Sequence, residues 1–187
     1  MTVTINVHHI YHEPVENVAA THLAKYPNKY DPNVVSSNIV KNKLLSDGLR
    51  YTKRIAICRN VLPHFLRTVP SLNVDNVEIE EECTWNRKTR TFLVSSQNLT
   101  WNSWVIMKES SSYVPHENKN WTYFQQDGSI TVNGLGKIGY ILELFGKRFL
   151  TNGAYRSIKV TERLMAERTQ SYFEKCFLFW YSEFILV

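Results

Sequence analysis

One lysine raises the question of what this chain could hold. In "LAKYPNKYDPNVV", a run with helical spacing meets Tyr26-Pro27-Asn28, and the last residue before that stop is Lys25. A cation at a helix end offsets the negative end of the macrodipole. The same cation turned inward would meet an anion. Further on, Lys137, Lys147, Arg148, Arg156, Lys159, Arg163 and Arg168 outnumber Glu143, Glu162 and Glu167 on the last helical segment. Taken alone that is a solvated amphipathic face with a basic bias. The aromatic residues fall in core-like positions and no recognition module is legible, so nucleic acid is not an expected partner.

The other reactive side chains have plain readings. In Glu80-Glu81-Glu82, strand alternation sends Glu81 to the opposite face from its neighbours, and a buried Glu81 would need a partner. His8, His9 and His12 are close in sequence, but His8 and His9 point to opposite sides of a strand, so no metal site is expected there. Cys58, Cys83 and Cys176 are an odd number without metal-ligand spacing, and read as thiols rather than a disulfide framework. No Gly-x-Ser-x-Gly elbow, Walker loop, His-Glu-x-x-His or Cys-x-x-Cys occurs, so neither enzyme chemistry nor a cofactor is expected.

At 187 residues the chain is long enough for one domain burying roughly 70% of its unfolded surface. Its net charge of +5 suits attraction to an anionic surface without requiring one. "MTVTINVHHIYHEP" carries neither a secretory signal nor a cleavable presequence pattern. The sequons at Asn98 and Asn120 are therefore read as chance.

These groups must be positioned by the elements around them. "TVTINVHHIY" alternates as a first strand. "EPVENVAATHLAKYPN" then changes period, with Val15, Val18, Ala19, His22 and Leu23 on one helical face, Pro14 in the first turn and Pro27 ending the helix. Short strands follow: "VVSSNIVKNKLL" and "LRYTKRIAIC" about an Asp47-Gly48 turn, then "VEIEEECTW", "RTFLVSSQNL", "WVIMKESSSYV" and "NWTYFQQDGSITV". From Gly136 the period is helical, with stripes at Ile138, Leu142, Phe145, Phe149 and at Ala154, Ile158, Thr161, Met165, separated by a flexure near Gly153. A curved antiparallel sheet of about seven strands around a long C-terminal helix, with an N-terminal helix and room for a pocket, is the economical α+β solution.

"KYPNKYDPNVV", "RIAICRNVLP" and "RFLTNGAYRSIK", in that order, resemble the PRELI/MSF1 domain family from about Val3 to Arg168. The domain is set at residues 1–170, followed by a divergent apolar tail at 171–187. The resemblance implies a START-like fold with a lipid cavity and a lid loop. It also implies transfer of acidic phospholipids, phosphatidic acid or phosphatidylserine in better-known members, between membranes in the mitochondrial intermembrane space. The implied partners are a phospholipid ligand, a membrane surface touched in passing, and a small helical twin Cys-x9-Cys protein. An alternative is a lipid-binding or partner-competing regulatory module without transfer activity.

By resemblance, Lys25, Arg54, Arg148, Asn152 and Arg156 belong to the head-group site, and Arg148 and Asn152 share a helix face. Leu62 to Asn73 matches the lid, in which Leu62, Pro63, Phe65, Leu66, Arg67 and Val69 meet acyl chains or membrane; a short packed helix is the plainer reading. Asn33, Cys58, Val61 and Tyr155 stand where phosphatidic-acid carriers of the family have cationic or titratable residues. Fewer cations weaken the case for phosphatidic acid and strengthen that for a zwitterionic or singly charged head group. The tail either packs on the sheet, contacts a membrane interface or is a variant end; at about a dozen apolar residues it is too short to span a bilayer.

Overall fold

The structure, a computed structural model, describes the backbone at residues 2–46, 48–133 and 136–184, and side-chain surroundings over the same residues up to 170 apart from 46, 137 and 138. Asp47, the side chains of Lys137 and Ile138, and those of the tail including Cys176 lie outside the described residues.

Alternation in the sequence becomes strand after strand: β1 (Thr2–Tyr11), β2 (Val34–Ser46), β3 (Leu49–Arg59), β4 (Asn76–Asn86), β5 (Thr91–Asn98), β6 (Val105–Pro115) and β7 (Thr122–Val132). They build one seven-stranded antiparallel sheet in the order β1-β7-β6-β5-β4-β3-β2. From β2 to β7 each strand pairs with its sequence neighbour, and β1 closes the far edge against β7. The turn into β3 is made by Gly48 at φ 90°, a left-handed conformation that a side chain would strain.

The segment between β1 and β2 carries α1 (Val15–Leu23), with Pro14 as its N-cap and Val15, Val18, Ala19, Thr21 and His22 buried. The helix ends earlier than the proline signal suggests. Ala24 is the C-cap, its N–H donating to the Ala20 carbonyl at 3.2 Å, so Lys25 stands beyond the helix instead of in its last turn.

α3 (Gly136–Phe184) crosses the sheet and packs on β1, β7 and α1. It runs unbroken through Gly153, where a flexure was expected. A lone glycine costs a helix interior about 1 kcal/mol, which tertiary packing on both sides outweighs. The α3 backbone runs on past residue 170 into the segment set apart as the tail.

Two apolar clusters pin α3 down. One gathers Val7, Tyr11, Val15, Val18, Phe92, Tyr113, Phe124, Ala154, Ile158 and Met165. The other joins Ile130, Val132, Leu142 and Leu150 to Leu66 and Leu72. The last two come from the β3–β4 connection, a short helix α2 (His64–Arg67) followed by a 3-10 turn at Pro70–Leu72.

Candidate functional site

Between the sheet and α3 lies a chamber of about 380 Å³. Sheet register builds its floor. A row of inward-facing residues crosses the strands from Arg54 on β3 to Glu81 on β4, Ser96 on β5, Glu109 on β6 and Gly128 on β7. The neighbouring row on one side runs Thr52, Cys83, Val94, Ser111, Gln126. Toward the lid the floor turns apolar, through Ala56, Ile79, Met107 and Ile130. There a second hollow of about 90 Å³ adjoins, sharing Val61, Ile79, Met107, Phe145 and Phe149 with the chamber and adding Leu62, Leu72 and Leu142. The whole is a cavity with a polar inner end and an apolar outer end.

Lys25 stands at the polar end. The turn after α1 aims it: the Asn28 amide donates to the Lys25 carbonyl at 2.9 Å, while the Asn28 side-chain oxygen accepts from the N–H groups of Tyr30 and Asp31 at 2.8 and 3.0 Å. Only 2% of Lys25 is exposed. Its Nζ donates to Ser157 Oγ of α3 at 2.7 Å and lies 5.1 Å from the centre of the Tyr26 ring. Burial drags its pKa down to about 8, against the pull of the Glu81 carboxylate, and the Arg54 guanidinium lowers it further. The lysine therefore faces inward and does more than terminate a helix.

Arg54 also lines the chamber, but its donors are committed to the protein. Nε and Nη2 donate to Glu81 Oε1 at 2.7 and 2.6 Å, and Nη1 reaches the His22 and Leu23 carbonyls at 3.4 and 3.1 Å. It fastens the end of α1 to the sheet. The same Glu81 oxygen lies 3.2 Å from His22 Nε2 and accepts from the Cys83 thiol at 3.0 Å. Burial opposes charge on Glu81, and the groups around it outweigh burial and hold the carboxyl well below the usual range. Burial pushes His22 down to about 4, so it is neutral; Nε2–H then donates to Glu81 and Nδ1 accepts from the Tyr113 hydroxyl at 3.2 Å. The partner that a buried Glu81 demands is thus a network. Ligand atoms of His22, Glu81 and Cys83 lie within 4.8 Å of one another, yet Arg54 already occupies the carboxylate and Lys25 stands near, so the set opposes a further cation.

From α3, Arg148 and Asn152 reach the chamber wall one turn apart, both largely solvated, and Arg148 has no partner among the described residues. Arg156 lies 3.8 Å from Asp31 and is about half exposed. Asn33, Cys58 and Val61 line the chamber, whereas Tyr155 is 53% exposed on the helix's outer side. Burial pushes the Cys58 thiol up to about 11, so it brings no charge.

The lid residues divide by depth. Leu66 is buried, Leu62 and Val69 pack against the same cluster, and Phe65 is 57% exposed. Pro63 is the N-cap of α2, and Arg67 pairs loosely with Asp75 at 3.4 Å.

Sequence reasoning missed Glu109, Ser157 and His22 as site residues. Alternation in β6 puts Glu109 on the face of Met107 and Tyr113, a signal present in the sequence but not followed. Ser157 faces Lys25 across 132 positions of chain, and nothing local announces that.

A sheet gripping a long helix around a hollow is a START-like architecture, and solved structures share it. One is TTHA0849 from Thermus thermophilus, 12% identical with a TM-score of 0.61, covering 89% of this chain and 99% of that one. Another is Ara h 8.0201, 10% identical with a TM-score of 0.54 over the same shares. Such identities speak for the fold alone. Residues 16–171 match the PRELI-like family, and the chain belongs to it. A curated relative, UPS-like protein C36.10 of Schizosaccharomyces pombe, is 30% identical over 122 residues, 65% of this chain and 66% of the relative, so the chain spans just under two thirds of that protein's length.

Proposed function

We propose that the protein binds a phospholipid in the chamber and carries it between mitochondrial membranes in the intermembrane space. The observation behind this is the buried ammonium of Lys25 at the polar end of a cavity whose other end is apolar. Burying a cation costs several kcal/mol unless it is paired, and Ser157 supplies one neutral acceptor where a charge has three donors to satisfy. A lipid phosphate entering the chamber completes that pairing, with Arg148 and Asn152 on the α3 wall, while acyl chains extend past Phe149 and Met107 beneath the lid. No bond is made or broken.

The lid and the first turns of α3 would meet the membrane. Phe65, Tyr140, Ile141 and Leu144 are all exposed apolar groups at this end, from 43 to 59% accessible. Asn33, Cys58 and Val61 add no cation to the chamber, which leaves Lys25, Arg59 and Arg148 to meet an acidic phospholipid. That same scarcity favours a second reading, a lipid-binding module that competes for the family's small helical disulfide-bonded partner without transferring lipid.

Transfer of labelled phospholipid from donor to acceptor vesicles, with that partner present, tests the proposal. We expect transfer that Lys25→Glu abolishes without loss of fold. Retention of every head group in the donor, with the partner still bound, would leave the second reading standing.

A further inference from the structure

The turn between β5 and β6 concentrates two strains on one residue. Trp101 has a φ of 67°, in the left-handed region that a bulky side chain avoids. Its indole Nε1 is the only buried side-chain nitrogen or oxygen without a hydrogen-bond partner among the described residues. A buried donor left unmet has lost its bond to water and gained none in return. The turn around it is otherwise well tied. Asn98 Nδ2 donates to the Thr100 and Val105 carbonyls at 2.6 and 2.7 Å, and its Oδ1 accepts from the Met107 N–H at 2.7 Å. The Trp101 carbonyl accepts from the N–H groups of Trp104 and Val105, both at 2.8 Å. A costly conformation held in place by so many bonds is the pattern of clamps and switches. Its position shows what it clamps. Trp101 lines the apolar hollow and packs on the cluster that includes Leu66 and Leu72 of the lid. Three positions on, Trp104 is 40% exposed, with Asn102 and Ser103 exposed between the two. The Trp104 carbonyl accepts from the Asn133 N–H at 2.8 Å, which sets the turn beside the start of α3.

We infer that the β5–β6 turn docks on the lipid–water boundary of a bilayer: Trp104 inserts first, and Trp101 then turns out of the hollow to join it, which unlatches the lid. This rests on the lipid-carrier reading above. An indole suits that boundary, because its ring is apolar and its N–H needs an acceptor, and lipid ester carbonyls and water supply many. The N–H that is unmet in the free protein becomes bonded there. The membrane thus favours the open form through a contact that the closed form lacks, as a ligand must if it is to shift such an equilibrium. Withdrawal of Trp101 opens one wall of the hollow and removes support from Leu66 and Leu72, which gives acyl chains a way in. Exposed apolar groups nearby come from separate segments, Phe65 on the lid and Tyr140, Ile141 and Leu144 on α3. A fluid bilayer meets all of them together without needing a shape that matches each.

The test pairs docking with uptake. The full-length protein is mixed with vesicles of phosphatidylcholine and phosphatidic acid, with and without brominated acyl chains that quench a nearby indole, and uptake of labelled phospholipid is timed alongside. We expect bromine quenching that diminishes in Trp104→Phe and diminishes further when Trp101→Phe is added. Trp104→Ser should weaken vesicle binding by about tenfold, the scale of one large apolar side chain leaving the boundary. Trp101→Phe keeps most of the ring and removes the unmet donor. It should bind vesicles as the parent does and resist urea at least as well, yet take up lipid about fivefold more slowly, since the closed form has lost the strain that docking relieves. A tryptophan with a merely structural role would lower urea resistance when replaced and leave that rate alone. Unchanged vesicle binding in Trp104→Ser overturns the inference, as does uptake at the parental rate in Trp101→Phe. Uptake by the parent without quenching at either indole also overturns it and leaves the carrier reading intact. Quenching without any uptake removes the carrier reading and the unlatching with it, and upholds the turn as a membrane contact.

Discussion

At the scale of single residues, the proposed carrier role has Lys25 trade stability for binding. Its amine holds a proton less tightly in the fold, with a pKa of about 8, than in the unfolded chain near 10.5. Between those values the folded state binds fewer protons, so stability rises with pH across that window; below about 8 the full penalty, about 3 kcal/mol, is present. Lys25→Met should therefore make the ligand-free protein more resistant to urea at pH 7 while removing lipid binding. A less stable Lys25→Met would show that the amine is not strained. Because a phosphate needs the charged amine, lipid occupancy should fall as pH rises through about 8 and stay flat in Lys25→Arg, if the larger side chain is accommodated. Arg54 differs, since it holds structure together. Arg54→Ala strands the Glu81 charge and should cost about 3–5 kcal/mol, whereas Arg54→Met combined with Glu81→Met should cost less. A chemical denaturation series on the single and double variants separates the two.

At the scale of elements, the lid's neighbouring residues serve different duties. Leu66→Ala should cost about 2–5 kcal/mol because the side chain is 1% exposed within the second cluster. Phe65→Asp should leave the thermal midpoint unchanged and slow transfer from anionic vesicles, since that ring faces solvent. The close approach of α3 to the sheet is a further lever: a Cβ at Gly146 would stand 2.5 Å from the Ile130 δ carbon. Gly146→Val should displace the end of the Ile130 side chain, which lines the apolar hollow, and so weaken retention of long acyl chains. Much of this level was legible. Period-two alternation placed the strands, and the change of period at Gly136 placed α3. The end of α1 was misjudged because Pro27 is a strong local signal, while the actual stop comes from the Ala24 cap and the Asn28-centred turn that aims Lys25. Gly153 misled for the opposite reason, since packing on β1 and β7 overrides a local preference.

At the scale of the whole molecule, the architecture follows from complementary faces: a sheet with one apolar side, a helix with an apolar stripe, and a gap where neither stripe is continuous. Lys25, Arg148 and Asn152, which pattern and resemblance singled out, line the chamber. The sequence did not reveal which charges are free. Arg54 and Arg148 look alike in one dimension, and only sheet register shows that Arg54 is consumed by Glu81 while Arg148 stays unpaired among the described residues. Likewise Glu81 and Glu109 differ through partners brought in from other strands. The +5 net charge fits encounters with anionic membranes, and such encounters should weaken as salt rises. The most direct measurement is native mass spectrometry of the protein after exposure to phospholipid vesicles, compared with Lys25→Glu. The account predicts one phospholipid per chain in the parent and an empty, folded variant. A parent that emerges without lipid, or a variant that loads equally, would contradict it.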